Sequence, residues 1–154
     1  MKTDNFSQKI GYPLLVMAIF LWIGFVCSIS FMEAWVKFRT PNMTLPVGLA
    51  IGKVVFAALN KVEWVFAGVI AFITFYRGAG GKRSVLVGIP IAILLIQTFY
   101  LLPVLNARAD ALSQGLSLPQ SYGHFYYIFV EVVKVGTLLA LGILAIGDLR
   151  GKQT

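Results

Sequence analysis

The sequence predicts an all-α integral membrane protein, a four-helix bundle. Three observations carry that reading. First, 58% of the 154 residues are hydrophobic and 12% are charged, with a mean hydropathy of +0.84, whereas a soluble domain is about half apolar and a quarter charged. A water-soluble fold of this size keeps much of its surface wet and has no room to hide so much apolar area. Second, the apolar residues gather in runs of the ~20 residues that a helix needs to cross a ~30 Å hydrocarbon core. Third, the formal charge of +7 sits on a chain this apolar, which suits an anionic lipid bilayer and not a nucleic acid. A soluble enzyme, a disordered tail and a disulfide scaffold are excluded together, the last also because Cys27 is the sole cysteine.

The first span is placed at 13–35. Pro13 to Met32 is uncharged and opens on a proline, which a helix start tolerates because its first N–H groups lack partners anyway. Its apolar run is longer than that of a signal peptide, no small-x-small cleavage site follows cleanly, and no lipobox precedes Cys27. It is read as an uncleaved anchor. A proline-bounded turn from Thr40 to Pro46 leads into the second span, 47–76. That stretch carries Lys53, Lys61 and Glu63. At ~1.5 Å per residue it reaches about 45 Å, so it reads as one long, tilted or kinked helix with interfacial first turns.

A glycine-rich basic turn, Arg77 to Arg83, joins it to the third span, 85–105. The turn superficially resembles a phosphate loop. The glycine needed five positions before Gly81 is Tyr76, and Arg83 separates Lys82 from Ser84, so that reading is declined. Asn106 to Ser121 is read as the longest loop, with a short surface helix around Ala107 to Ser113. The fourth span, 122–147, is interrupted by Glu131 and Lys134. A single transmembrane domain, 1–154, accommodates all four.

Four spans put both termini on one side together with the 77–83 turn. Lys2, Lys9, Arg77, Lys82, Arg83, Arg150 and Lys152 lie there, against Lys37, Arg39, Arg108, Lys53 and Lys61 at most on the other. The excess of basic residues predicts cytoplasmic termini in the inner (plasma) membrane.

The acidic residues divide by depth. Asp4, Asp110 and Asp148 lie outside the spans, while Glu33, Glu63 and Glu131 lie inside or at the rim. A charge at mid-bilayer costs about 2.5–3.5 kcal/mol on insertion scales, so each intramembrane glutamate is a functional candidate. Lys53, Asn60 and Glu63 are spaced seven and three apart, which puts them on one helical stripe. His124, Tyr127, Glu131 and Lys134 form a second stripe, Ser30, Glu33 and Lys37 a third, and Gln97, Tyr100 and Arg108 a fourth. In a bundle such seams turn inward, and depth counting puts most of these charges in the non-cytoplasmic half. Two roles stand side by side. Glu131 and Lys134 at i and i+3, with Glu63 paired to Lys61 or Arg108, could act only as a clamp that fixes helix register. Alternatively, the seams hold a ligand, an ion or a proton.

Other chemistry is sparse. His124 is the only histidine, and no Glu-x-x-His pair of the di-iron kind exists, so neither metal nor cofactor is expected. No serine–histidine–aspartate arrangement is present, and Cys27 has no basic neighbour to activate it. Trp22, Trp35, Trp64, Tyr122, Tyr126 and Tyr127, among other aromatics, read as interfacial belts. Gly48 and Gly52 match the small-xxx-small pattern of close helix contacts, within the chain or in a homo-oligomer or membrane complex.

Two resemblances add to this reading. Lys53-Val-Val-Phe-Ala-Ala-Leu-Asn60-Lys-Val-Glu63 resembles the second-helix motif of the membrane-associated eicosanoid and glutathione metabolism family. Lys53 stands where that family has arginine, and Phe56 replaces a second basic residue. The resemblance implies a glutathione- or lipid-dependent transferase, with Lys53, Asn60 and Glu63 binding the cofactor at a protomer interface. It also implies the opposite sidedness for this motif. The whole chain resembles a family of small bacterial four-helix membrane proteins through Phe31 to Phe38, Ala58 to Trp64 and Leu102 to Asp110, which implies a fold and no activity.

The expectation is a polar pocket whose core is Glu63 and Glu131. Asn60 and Lys134 would be their hydrogen-bonding partners, with Lys53, His124, Arg108 and Glu33 at the rim. It would bind or pass an ion, a proton or a small polar-headed ligand, as a carrier or accessory subunit rather than an enzyme. The transferase and a purely structural subunit are the alternatives.

Overall fold

The computed structural model describes residues 11–76, 78, 80–119 and 122–150, with the side chain of Arg150 left aside. Lys2, Asp4, Lys9, Arg77 and Lys152, which entered the charge count, lie outside the described residues. The chain forms four long helices: α1 at Tyr12–Arg39, α2 at Leu45–Tyr76, α3 at Gly81–Ser113 and α4 at Gly123–Arg150. With 28 to 33 residues in each of α1 to α3, every helix exceeds the ~20 residues that a bilayer core requires.

The helices close into a ring in which α1 packs on α2 and α4, and α3 packs on the same two. Short connections make successive neighbours antiparallel. One end of the bundle therefore carries the 40–44 turn and the 114–119 segment, and is called the loop end below. Arg83 near the start of α3 pairs with Asp148 near the end of α4 at the opposite, turn end.

The interior away from the polar residues is apolar, built on Ile19, Trp22, Val26, Ile70, Leu94, Leu138 and Leu141. Gly142 lets the Phe20 ring of α1 lie close on α4, where an added Cβ would come within 3.1 Å of it. Only about a third of each apolar window is buried inside the bundle. The remainder faces outward, with Phe99 at 74% exposure, and Phe72, Phe125 and Phe129 similarly bare. So large an exposed apolar surface is untenable in water. Against lipid tails it costs nothing, and the chain is a multi-pass membrane protein.

Two departures from the expected elements have local causes. The third helix runs unbroken past Leu105 to Ser113, so the helix expected around Ala107 to Ser113 is the end of α3 and not a separate element in a loop. It ends at Gly115, whose φ of +81° accommodates the paired bonds Leu116 N–H to Ala111 C=O and Gly115 N–H to Leu112 C=O. That pairing is the Schellman stop for which glycine is preferred. Both α1 and α3 also contain a π-helical segment, at Cys27–Glu33 and Gln97–Leu101. In α3 the cause is legible. Pro103 lies in the first turn after the segment and has no N–H to offer the preceding carbonyls, and Leu102 N–H reaches back to Gln97 C=O instead.

Candidate functional site

Near the middle of the bundle all four helices contribute polar side chains to one buried network. Glu131 and Lys134, three residues apart on α4, share a face, and the Lys134 ammonium lies 3.0 Å from Glu131 Oε2. From α2, Glu63 Oε1 accepts a hydrogen bond from the same ammonium. Gln97 stands midway along α3 at the start of its π segment, and its Oε1 accepts from Lys134 at 2.6 Å. From α1, Trp22 Nε1 donates to Glu63 Oε1 at 2.8 Å and Ser30 Oγ donates to Glu131 Oε1 at 3.3 Å. Tyr127, one helical turn before Glu131 on α4, is buried beside the network at 2% exposure. Trp22, Glu63, Gln97, Glu131 and Lys134 are all at 0% exposure.

The charges in this network do not balance. Two carboxylates face one ammonium, and the other described ion pairs are made elsewhere: Lys37 with Glu33, Lys53 with Asp110 and Arg83 with Asp148. The ammonium sits where three side-chain oxygens converge. Among the described residues, Glu63 Oε2, Glu131 Oε2 and Gln97 Nε2 are buried without a hydrogen-bond partner. For Glu131 Oε2 the 3.0 Å approach of Lys134 is therefore an ion pair outside hydrogen-bond alignment. Buried polar atoms are nearly always satisfied, so the two atoms left with neither a hydrogen bond nor that ion pair, Glu63 Oε2 and Gln97 Nε2, mark the network as chemically unusual.

The remaining candidate residues separate from it. Asn60 does not bond a glutamate: its Nδ2 donates to Thr98 Oγ1 at 2.9 Å, Trp64 Nε1 donates to the same oxygen at 3.1 Å, and Thr98 passes its own proton to Leu94 C=O at 2.7 Å. Thr98 thus ties α2 to α3 one step from the network. Glu33 holds Lys37 at 3.3 Å near the end of α1. Lys53 reaches both carboxylate oxygens of Asp110, at 2.8 and 2.7 Å. Arg108 donates to the backbone carbonyl of Pro119 and Lys61 is exposed, while the cation paired with Glu63 is Lys134. Tyr100, placed by spacing on an inward stripe, is 66% exposed and faces outward, because the π segment shifts the register of α3 at that point. The Lys53, Asn60 and Glu63 triplet of the transferase motif has three separate sets of partners within this chain.

A half-open cavity of about 250 Å³ occupies the loop end. Lys37, Lys53, Arg108 and His124 stand in its wall beside Phe38, Phe56, Leu102 and Leu105, and Tyr127 also lines it. Tyr127 therefore touches both the cavity and the buried network, with its ring edge-on to Phe56 at 5.4 Å between centroids. Gly48 and Gly52 do not serve contact between helix backbones here. They receive side chains from α1: Phe38 lies over Gly48, and the Lys37 ammonium lies over Gly52, where a Cβ would come within 2.6 Å. Among the described residues no three histidine, cysteine or acidic side chains gather as a metal would require.

Sequence reasoning missed Trp22 as a network member. A tryptophan ten residues into a span carries no mark that separates a buried donor from a member of an interfacial belt. Its position one helical turn from Ala18 and Val26, both buried, is the only available hint. Thr98 left no signal, since threonine on an apolar helix ordinarily bonds its own i−4 carbonyl.

Fold and site together define a multi-pass membrane protein with a buried Glu63–Lys134–Glu131 network. Comparison of the chain with protein-family models, curated proteins and solved structures gives no match.

Proposed function

We propose that the protein handles protons: the Glu63–Lys134–Glu131 network takes up and releases one proton within the membrane, as part of a carrier or of an accessory subunit. One observation carries the reading, two fully buried carboxylates arranged around a single ammonium. A net negative charge in this setting is expensive, and binding one proton or one cation removes it. The proton is favoured because the Lys134 ammonium already occupies the point where the Glu63, Glu131 and Gln97 oxygens converge. A metal cation needs several oxygens of its own, whereas a proton needs one carboxylate oxygen, and among the described residues Glu63 Oε2 is without a hydrogen-bond partner. Tyr127, between the cavity and Glu131, is the route by which a proton reaches the network from the loop end. The orientation that accompanies this reading puts both termini in the cytoplasm of a bacterial inner membrane, so that the cavity faces away from the cytoplasm.

Infrared difference spectroscopy of the purified protein across a pH step is the direct test. A protonated-carboxyl C=O band that titrates in the native protein and disappears in Glu63→Gln or Glu131→Gln supports the reading. Its absence from the native protein, with both glutamates ionised throughout, leaves the network a structural clamp.

A further inference from the structure

We infer that the loop-end cavity is a binding site for a single-chain anionic lipid, an alkyl chain with a carboxylate head. The inference is independent of proton uptake at the buried network, because it rests on the charge and shape of the cavity wall. Lys37, Lys53 and Arg108 line the cavity with His124, and no acidic residue does. Two of the cations have acidic partners that stand outside the lining. Asp110 holds Lys53 closely, at 2.7 Å, and Glu33 holds Lys37 loosely, at 3.3 Å. Among the described residues the one acceptor Arg108 meets is neutral, the Pro119 carbonyl. The wall therefore carries an unbalanced positive charge at Arg108 and unused donor capacity on Lys37, whose ammonium has three protons to give.

Lys37 shows that this is a built site and not a solvated basic surface. Its side chain is only 10% exposed. The ammonium is seated over Gly52, where any Cβ would crowd it, and stands 5.5 and 5.7 Å from the Phe38 and Phe56 ring centroids. An ammonium largely withdrawn from water binds an anion far more strongly than one on a surface.

The remainder of the wall selects the kind of anion. Phe38, Phe56, Leu102 and Leu105 offer apolar surface beside the charges, which a free inorganic anion leaves uncovered and an alkyl chain covers. About 250 Å³ is at or below the lower end of small-molecule sites, so the cavity takes a head and the first part of one chain while the rest lies along the bundle. The exposed Lys53–Asp110 pair marks the watery rim of this end, the level at which a lipid head resides.

The test is native mass spectrometry and thermal unfolding of the full chain in a non-ionic detergent, with dodecanoate as probe. Dodecyltrimethylammonium serves as the charge-reversed control, and acetate with inorganic phosphate as tail-less controls. Saturable binding of one dodecanoate, absent for the cationic analogue and much weaker for the tail-less anions, is expected. Arg108→Gln and Lys37→Gln should each weaken it about tenfold, what the loss of a hydrogen bond to a charged group commonly costs. Arg108 is only partly buried, so its variant keeps the fold even where Lys37→Gln does not. Equal binding of the cationic analogue, equal binding of acetate or phosphate, or unchanged dodecanoate affinity in Arg108→Gln overturns the proposal.

Discussion

Lys134 is fully buried between two glutamates, and the damage done by removing it differs in kind from the damage done by removing either partner. Lys134→Met leaves two carboxylates facing each other with no counter-charge, and stranded buried charges cost about 3–5 kcal/mol. Glu131→Gln removes the surplus negative charge while keeping an oxygen acceptor for Lys134 and Ser30, so its cost should stay within about 1 kcal/mol, the scale of a single exchanged hydrogen bond. Unfolding in detergent micelles checks the ordering; equal losses for the two variants would mean that the charges are already balanced by some other route. Trp22→Phe tests the donor that spacing alone did not reveal. It keeps most of the ring packing and deletes the N–H to Glu63, and losing a hydrogen bond to a charged group should cost roughly 1.5–3 kcal/mol in the same measurement.

Glycines distinguish what an element's backbone requires from what its surroundings require. Gly115 stops α3 at φ +81° with open space around it, so Gly115→Ala introduces only backbone strain, about 1–2 kcal/mol for a left-handed residue with a Cβ. Gly136 lies inside α4 with no neighbour within 4 Å and no unusual φ. Gly136→Ala should therefore stabilise by about 0.5–1 kcal/mol through the restricted unfolded chain. Opposite signs for the two substitutions, read from thermal unfolding, are the expected result. The elements themselves were largely legible in the sequence because uncharged apolar runs of membrane length seldom occur in chains that fold in water. Their ends were less so. Ala107 to Ser113 reads as a separate surface helix because Arg108 and Asp110 break the apolar run, yet a helix that leaves the membrane carries charge without losing its backbone bonds, and α3 simply continues. The inward seams were legible from the 3.6-residue period, which fixes rotation about each axis. The period does not say which neighbour a residue meets. Asn60 and Glu63 share a stripe, but one meets Thr98 on α3 while the other meets Lys134 on α4, and the π segment at Gln97–Leu101 turned Tyr100 away from the stripe assigned to it.

For the molecule as a whole, an exterior of lipid-facing apolar side chains leaves the basic residues beyond the spans to decide which way the bundle inserts. Four helices, an even number, bring the start of α1 and the end of α4 to the same end of the bundle. The proposed orientation follows from the basic residues, seven on the turn-end side against five at most on the loop-end side. Since insertion follows the lysine and arginine counts of short loops, a few lysines added to the exposed 40–44 turn should invert the protein, and the same lysines added beside Lys82 should not. Reporter fusions at the C-terminus, one active only in the cytoplasm and one only outside it, read the outcome directly. Cytoplasmic activity for the native chain, exchanged for external activity when the 40–44 turn is loaded, is the expected pair of results. An external C-terminus in the native chain would turn the cavity of Lys37 and Arg108 toward the cytoplasm, and with it the side from which, on the proposed route, a proton would reach Glu131.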